Sequence, residues 1–208
     1  MIAIVDYKVG NLFSLVGSLK KLGLDCLVTG NKEDLKRADR IILPGVGAFK
    51  DALQRLKDSG MYDCLIEEAR EGKPLLGICL GMQMLFEKSY EYGEHEGLGL
   101  IEGYVRPLKE VFEKKNIRLK VPHMGWNDLA IKKKQPLFKY FGESSSVYFV
   151  HSYFADTDEQ NIAATADYGF EVTAAVSRKN IYGTQFHPEK SGEAGLKILK
   201  AFSEAEVK

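Results

Sequence analysis

The chain has 208 residues, 45% hydrophobic and 28% charged, with 29 basic and 29 acidic side chains and a formal net charge of +0. That length supports one domain, read as residues 1–208, with a real core, and the neutral balance argues against a general nucleic-acid binder. No apolar run reaches membrane-spanning length, and residues 1–6 carry no basic segment ahead of their apolar residues, so neither a membrane partner nor a secretory signal is expected.

The first half of the chain alternates short apolar runs with helical periodicity. Residues 2–6 read as a strand ending in an acid, and Asn11 can cap the helix that follows. There Leu12, Leu15, Val16, Leu19 and Leu22 share one face, and Gly23 ends it. Residues 25–29 read as a strand with Cys26 in the core. Leu35 lies on a short polar helix. Residues 41–43 form a strand that Pro44 stops. Ala48, Phe49, Ala52, Leu53 and Leu56 mark the next helix, and residues 61–71 another, with Cys64 on its apolar side. Residues 74–78 read as a buried parallel strand, and residues 80–86 as a helix packed into the core.

The pattern then changes. Residues 89–103 are polar and glycine-rich, a loop or short excursion. Strands are expected over residues 105–108, 117–121, 127–131, 147–150, 162–166, 172–177 and 181–185, and a closing helix over 193–204. The expected fold is α/β: a mostly parallel twisted sheet flanked by helices, with an added antiparallel strand set.

Cys79 stands at the junction of the strand over 74–78 and the helix over 80–86. Gly77 and Gly81 flank it two residues away on each side. A sharp strand-to-helix turn pushes its apex side chain out over the carboxyl edge of the sheet, and the glycines let the backbones approach closely. A helix N-terminus also favours a thiolate. Cys79 therefore reads as a nucleophile, not as a small buried hydrophobe. The cysteines, three in all, are widely spaced and show no metal-ligand spacing, so no metal is expected and the cytoplasm is.

A thiol nucleophile needs a base. His95 reads as surface, His123 as a structural or interface residue in a turn, and His151 as a second-rank candidate. His187 follows a strand at the edge where Cys79 should stand. Pro188 biases His187 to an extended conformation, which puts Glu189 on the same side as the imidazole. The carboxylate can then fix the tautomer and stabilise the imidazolium. Gly45 and Gly47, after a strand on that same edge, read either as an ordinary glycine turn or as part of the site.

At Pro44-Gly45-Val46-Gly47, Leu76-Gly77-Ile78-Cys79-Leu80-Gly81-Met82-Gln83 and Thr184-Gln185-Phe186-His187-Pro188-Glu189 the chain resembles the class I (triad) glutamine amidotransferases. The resemblance spans nearly the whole chain. It takes in Ile4-Val5-Asp6-Tyr7-Lys8-Val9-Gly10-Asn11-Leu12, His123-Met124-Gly125-Trp126-Asn127, His151-Ser152-Tyr153 and Lys190-Ser191. It is closest to the branch of the family whose glutaminase serves a separate cyclase in histidine biosynthesis. Lys8 departs from it, in a place where a small residue is expected. Glutaminases of other pathways, a cysteine peptidase on the same fold and a flavodoxin-like binding module remain as alternatives.

The resemblance implies that Cys79, His187 and Glu189 hydrolyse glutamine, with no cofactor. It implies that Gly45, Val46, Gly47 and the Leu80 amide bind the oxyanion and that Gln83 helps hold the substrate. It also implies a heterodimer with a (β/α)₈ cyclase subunit, docked around Cys79 through Asn11, Trp126 and Lys190. From the residues alone, Trp126 fits an interface anchor and a core aromatic equally well.

Overall fold

The computed structural model describes residues 1–142 and 145–206. The first half runs β1 (Ile2–Val5), α1 (Leu12–Lys21), β2 (Cys26–Thr29), α2 (Lys32–Arg37), β3 (Arg40–Gly45), α3 (Phe49–Asp58), α4 (Met61–Arg70), β4 (Leu75–Cys79) and α5 (Leu80–Met84). The second half runs β5 (Phe86–Ser89), β6 (His95–Glu96), β7 (Ile101–Pro107), α6 (Leu108–Lys115), β8 (His123–Asp128), β9 (Ala130–Ile131), β10 (Ser146–His151), β11 (Tyr153–Asp156), β12 (Ile162–Asp167), β13 (Glu171–Arg178), β14 (Ile181–Thr184) and α7 (Gly192–Ser203).

The main sheet has the order β2-β1-β3-β4-β14-β13-β12-β9. From β2 to β14 neighbours are parallel, and from β14 to β9 they are antiparallel. A second sheet, β11-β7-β5-β6, and the antiparallel pair β10-β8 complete the strands. The expected α/β architecture with an added antiparallel set is therefore observed. Strand alternation sorts the core onto two faces: Ala3 and Val5 pack with Phe49, Leu53 and Leu65 of α3 and α4, whereas Ile2 and Ile4 pack with Leu15, Leu19, Leu199 and Phe202 of α1 and α7. Burial on both faces is why these strands read as continuous apolar runs.

Several sequence expectations change. Pro44 does not stop β3: it pairs with Ile78, and Gly45 with Cys79. Pairing with β1 ends at Ile42, and the Pro44 carbonyl on that side accepts the Tyr7 hydroxyl at 2.7 Å. The proline nitrogen thus faces a side where no ladder bond is due. The helix expected over 80–86 ends at Met84, and β5 starts at Phe86. An unbroken apolar run gives no signal for that change of state. Within the stretch 89–103 lie β6 and the start of β7.

Residues 108–115 form a helix, α6, which the strand reading missed although Leu108, Val111 and Phe112 have helical spacing. Residues 117–121 alternate like a strand but join no ladder, and the Ile117 and Leu119 side chains lie beside Gly169 instead. His123 opens strand β8 and is not in a turn. Asn11 occupies the N-cap position of α1, but its side chain makes no capping bond and donates to Ser14 Oγ at 2.9 Å. Cys26 is half-buried, because β2 is an edge strand. Leu196 is likewise only half-buried, and Ile198 of α7 is fully buried instead.

Candidate active site

The carboxyl ends of β3, β4 and β14 meet at one place. Gly45 is the register partner of Cys79, and His187 follows three residues after β14 ends at Thr184. Cys79 has φ 55 and ψ −110, a conformation that side chains rarely adopt. The glycines around it make that turn possible. A Cβ on Gly77 would lie 2.6 Å from the Gly81 carbonyl oxygen, and one on Gly81 would overlap the Leu43 carbonyl oxygen. The backbone of α5 is therefore pressed onto β3 and β4, and every residue of α5 is buried.

Cys79 Sγ contacts the Val150 carbonyl at 4.0 Å and Gln185 Nε2 at 3.8 Å. His187 Nδ1 is 2.8 Å from Glu189 Oε1, and both side chains are buried, at 2% and 4% exposure. His187 Nε2 is buried with no formed hydrogen bond, although Cys79 stands near enough to interact with it. Catalytic contacts of this kind are often open before substrate binds. Burial opposes a charge on His187, but the Cys79 and Glu189 partners outweigh it and push the imidazole up to about 9. The imidazole beside the thiol is thus set to hold a proton.

A cavity of about 700 Å³ opens over the thiol, lined by Val46, Gly47, Leu80, Gln83, Glu91 and His187 among others. Gly47, at φ 91, holds a conformation that favours glycine. Leu80 is the first residue of α5, so its amide has no carbonyl partner within the helix and is free to meet a ligand oxygen. Gln83 Nε2 donates to the Tyr153 carbonyl at 3.0 Å and to Gln185 Oε1 at 3.0 Å. Both of its N–H groups are committed, so toward a ligand Gln83 can only accept.

His151 also lines the cavity, but both of its ring nitrogens are occupied. Nδ1 bonds the Tyr153 carbonyl at 2.8 Å and Nε2 bonds His123 Nδ1 at 3.1 Å. Burial pushes His151 down to about 3 and His123 down to about 4. His123 stacks on Phe149 and Tyr168. That pair stays neutral, and His187 is the imidazole beside the thiol. His95 is half-buried on β6.

Glu91 went unnoticed in the sequence. It is buried, its Oε2 accepts the Phe49 amide at 2.6 Å, and burial raises its carboxyl pKa. Among the described residues it is the one acidic side chain lining the cavity. No local pattern marks it, since it lies in the polar stretch between β5 and β6. Among the expected interface residues, Trp126 is 59% exposed, so the core alternative for it falls. Trp126 and Lys190 both lie against the Tyr148 ring, and Lys190 also lines the cavity. Asn11 borders a small gap of about 10 Å³ beside Glu189, together with Gly45 and Val46. Lys8 has φ 65, which explains why a small residue suits that position, and its amide donates to Asp6 Oδ1 at 3.0 Å. Among the described residues, no group of three His, Cys, Asp or Glu side chains could hold a metal ion, and no helix is long and apolar enough to cross a membrane.

The sequence model of the family described as "Glutamine amidotransferase class-I" matches residues 3–205. The chain belongs to the class-I glutamine amidotransferase family. It is 50% identical over 206 residues to the "Imidazole glycerol phosphate synthase subunit HisH" of Sulfurimonas denitrificans, covering 98% of this chain and 97% of that protein. It is 47% identical over 202 residues to the protein of the same name from Bacillus cereus, covering 97% and 93%. A solved glutamine amidotransferase superposes with a TM-score of 0.74 at 21% identity, covering 98% of this chain and all of that one. The structure of PurLQS from Thermotoga maritima does so with a TM-score of 0.74 at 20% identity, covering 97% and 96%. At that identity the two structures speak for the fold.

Proposed function

We propose that this chain is the glutaminase subunit of an imidazole glycerol phosphate synthase. In this reading it hydrolyses glutamine on a Cys79–His187–Glu189 triad and passes the ammonia to a separate cyclase subunit. That subunit makes imidazole glycerol phosphate and aminoimidazole carboxamide ribotide. The observation that carries the chemistry is the strained Cys79 turn facing a buried, carboxylate-paired imidazole across an open cavity. The choice among glutaminases is supported by the likeness to HisH proteins over nearly the full length.

Each step follows from the residues present. The Cys79 sulfur attacks the side-chain amide carbon of glutamine, and the carbonyl oxygen takes the negative charge. The Gly45-Val46-Gly47 loop and the Leu80 amide stabilise that oxyanion, each donor contributing roughly 10²–10³ in rate. His187 carries the thiol proton and delivers it to the departing ammonia. A γ-glutamyl thioester remains. His187 then takes a proton from water, which attacks the thioester and releases glutamate. Glu189 keeps Nδ1 protonated and stabilises the imidazolium. Free glutamine also carries an α-ammonium group. We assign Glu91, which lines the cavity, to meet it, and Gln83 to accept a further N–H.

The ammonia must leave unprotonated, so the partner should cover the cavity mouth. Val46, which lines the cavity, is an exposed apolar side chain, and Trp126, exposed with Met124 on the outer face of β8, shares the Tyr148 ring with the cavity-lining Lys190. We assign Asn11, Trp126 and Lys190 to that docking face, the partner to a (β/α)₈ cyclase, and the complex to the cytoplasm. Glutamate release, measured with and without the cyclase and its substrate, tests the reading. Release should be weak alone, stimulated in the complex and absent for Cys79→Ala in both. Cys26→Ala and Cys64→Ala should leave it intact. Equal release in both conditions would refute the coupling, and an active Cys79→Ala would refute the triad.

A further inference from the structure

Gln185 lies between β14 and His187, fully buried, and the triad gives it no role. Its backbone amide donates to the Ala174 carbonyl at 2.8 Å. Its side chain joins two other groups. Oε1 accepts from Gln83 Nε2 at 3.0 Å, and Nε2 donates to Cys79 Sγ at 3.8 Å. The two ends of an amide have the same shape, so their identity must come from their partners.

The Tyr153 carbonyl decides it. A carbonyl only accepts, so Gln83 must present its NH₂ to Tyr153. The second hydrogen of that NH₂ points at Gln185, whose facing atom must then be oxygen. What Gln185 turns toward the Cys79 sulfur is therefore its NH₂. The same carbonyl fixes the other branch. His151 carries its proton on Nδ1, and its Nε2 accepts from His123 Nδ1. Burial keeps both imidazoles neutral, so no proton arrives near neutral pH to reverse the network.

We infer that Gln185 is a further catalytic residue, one that donates a hydrogen bond to the nucleophile and holds the Cys79 sulfur as a thiolate ready for attack. At 3.8 Å the contact suits an N–H donor on a neutral sulfur, and it strengthens once the sulfur is charged. An amide has no proton to lose, so Gln185 does not compete with His187 for the thiol proton. Around the sulfur stand two other titratable groups, His187 and the Tyr7 phenol, with Glu189 behind His187. All three are unchanged when Gln185 alone is replaced.

The inference rests on Cys79 being the nucleophile, and one experiment separates the two. Alkylation of Cys79 by iodoacetamide is followed against pH in the full chain, in the unaltered protein and in Gln185→Glu, with folding checked by circular dichroism. Glutamate kinetics are measured on the same samples. A carboxylate in place of the donor should move the alkylation profile upward by about one pH unit or more. It should lower kcat at least about tenfold while KM changes less than about threefold. If Gln185→Glu does not fold, Gln185→Met, apolar and of similar length, replaces it with the same expected directions. A folded variant with an unmoved profile and unchanged kcat would overturn the role of Gln185. If Cys79 of the unaltered protein is no more reactive than Cys26 and Cys64, the nucleophile reading and this inference fall together.

Discussion

Replacing Glu189 by Gln isolates what the negative charge does, because the shape is kept. The His187–Glu189 contact is 2.8 Å long, with both side chains nearly sealed from water. A hydrogen bond to a charged group contributes about 1.5–3 kcal/mol. At about 1.36 kcal/mol per unit this is roughly one to two pKa units on the imidazole. The imidazole stands at about 9 against an ordinary 6.5, a displacement of roughly 3 kcal/mol by the same conversion. Cys79 and Glu189 share that displacement and must also overcome burial, so the Glu189 share fits within it. The amide can still offer its oxygen to Nδ1–H, because Glu189 Oε2 has no hydrogen-bond partner to hold the group the other way round.

The tautomer therefore survives and only the charge is lost. Glu189→Gln should lower kcat by roughly 10- to 150-fold, less than the loss in His187→Asn, where the proton carrier itself is gone. Its alkaline limb should move down by about one to two pH units. Stability follows the same sign. An imidazole raised in the folded state stabilises fully below its unfolded value of 6.5 and loses that contribution as pH rises through about 9. The gap in denaturation midpoint between the unaltered protein and Glu189→Gln should thus be widest on the acid side and narrow above that range. Glutamate release and urea melts across roughly pH 6–10 read both effects. An unmoved alkaline limb, or a loss as large as that of His187→Asn, would refute the charge argument.

Gly81→Ala should destabilise the fold by about 1–3 kcal/mol or more, since its Cβ would overlap the Leu43 carbonyl. Gly17→Ala, with open space inside α1, should stabilise by about 0.5–1 kcal/mol in the same melts. His123 and His151 are held neutral, so the unfolded chain binds more protons than the folded one below 6.5 and stability should fall as pH drops toward about 4 and about 3. His151→Asn should flatten that acid limb and harm glutamate release less than His187→Asn; the reverse order would make His151 the base. Trp126→Ala should weaken binding to the cyclase, by titration calorimetry, and leave the basal glutamate release of the isolated chain unchanged.

The site was legible where the chemistry is local to the chain. Gly77, Cys79 and Gly81 announce the strained turn because a side chain at either flanking position would meet backbone. His187 and Glu189 announce themselves because Pro188 forces the chain into a conformation that brings them together. Glu91, His151 and Gln185 act through contacts with residues far along the chain, and no spacing encodes those. The fold divides in the same way. The buried parallel strands of the first half were legible as short apolar runs and the helices α1, α3 and α4 by their period, whereas α6 has helical spacing but was read as a strand. The change from α5 to β5 falls inside one apolar run, where burial on all sides removes any period. Residues 117–121 keep the period of a strand, yet they cover Gly169 and pair with nothing. A period reports which side chains face the protein and is silent on what the backbone bonds to.

The same reasoning explains why the sequence pointed to Cys79 and His187 but not to their environment. A triad needs only that two short segments end at one edge of a sheet, and the parallel order β3-β4-β14 guarantees it. The polarity of the amides behind it depends on a single carbonyl, that of Tyr153 at the start of β11, which receives His151 from the end of β10 and Gln83 from α5. Backbone carbonyls carry no sequence identity, so any residue at that position supplies the same acceptor. What the sequence can reveal is the set of side chains that needs such an acceptor. Gln83, Gln185 and two neutral histidines buried near one thiol form such a set, because each would be costly to bury without a partner. Their joint burial constrains the direction of every hydrogen bond from His123 through the Tyr153 carbonyl to Gln185.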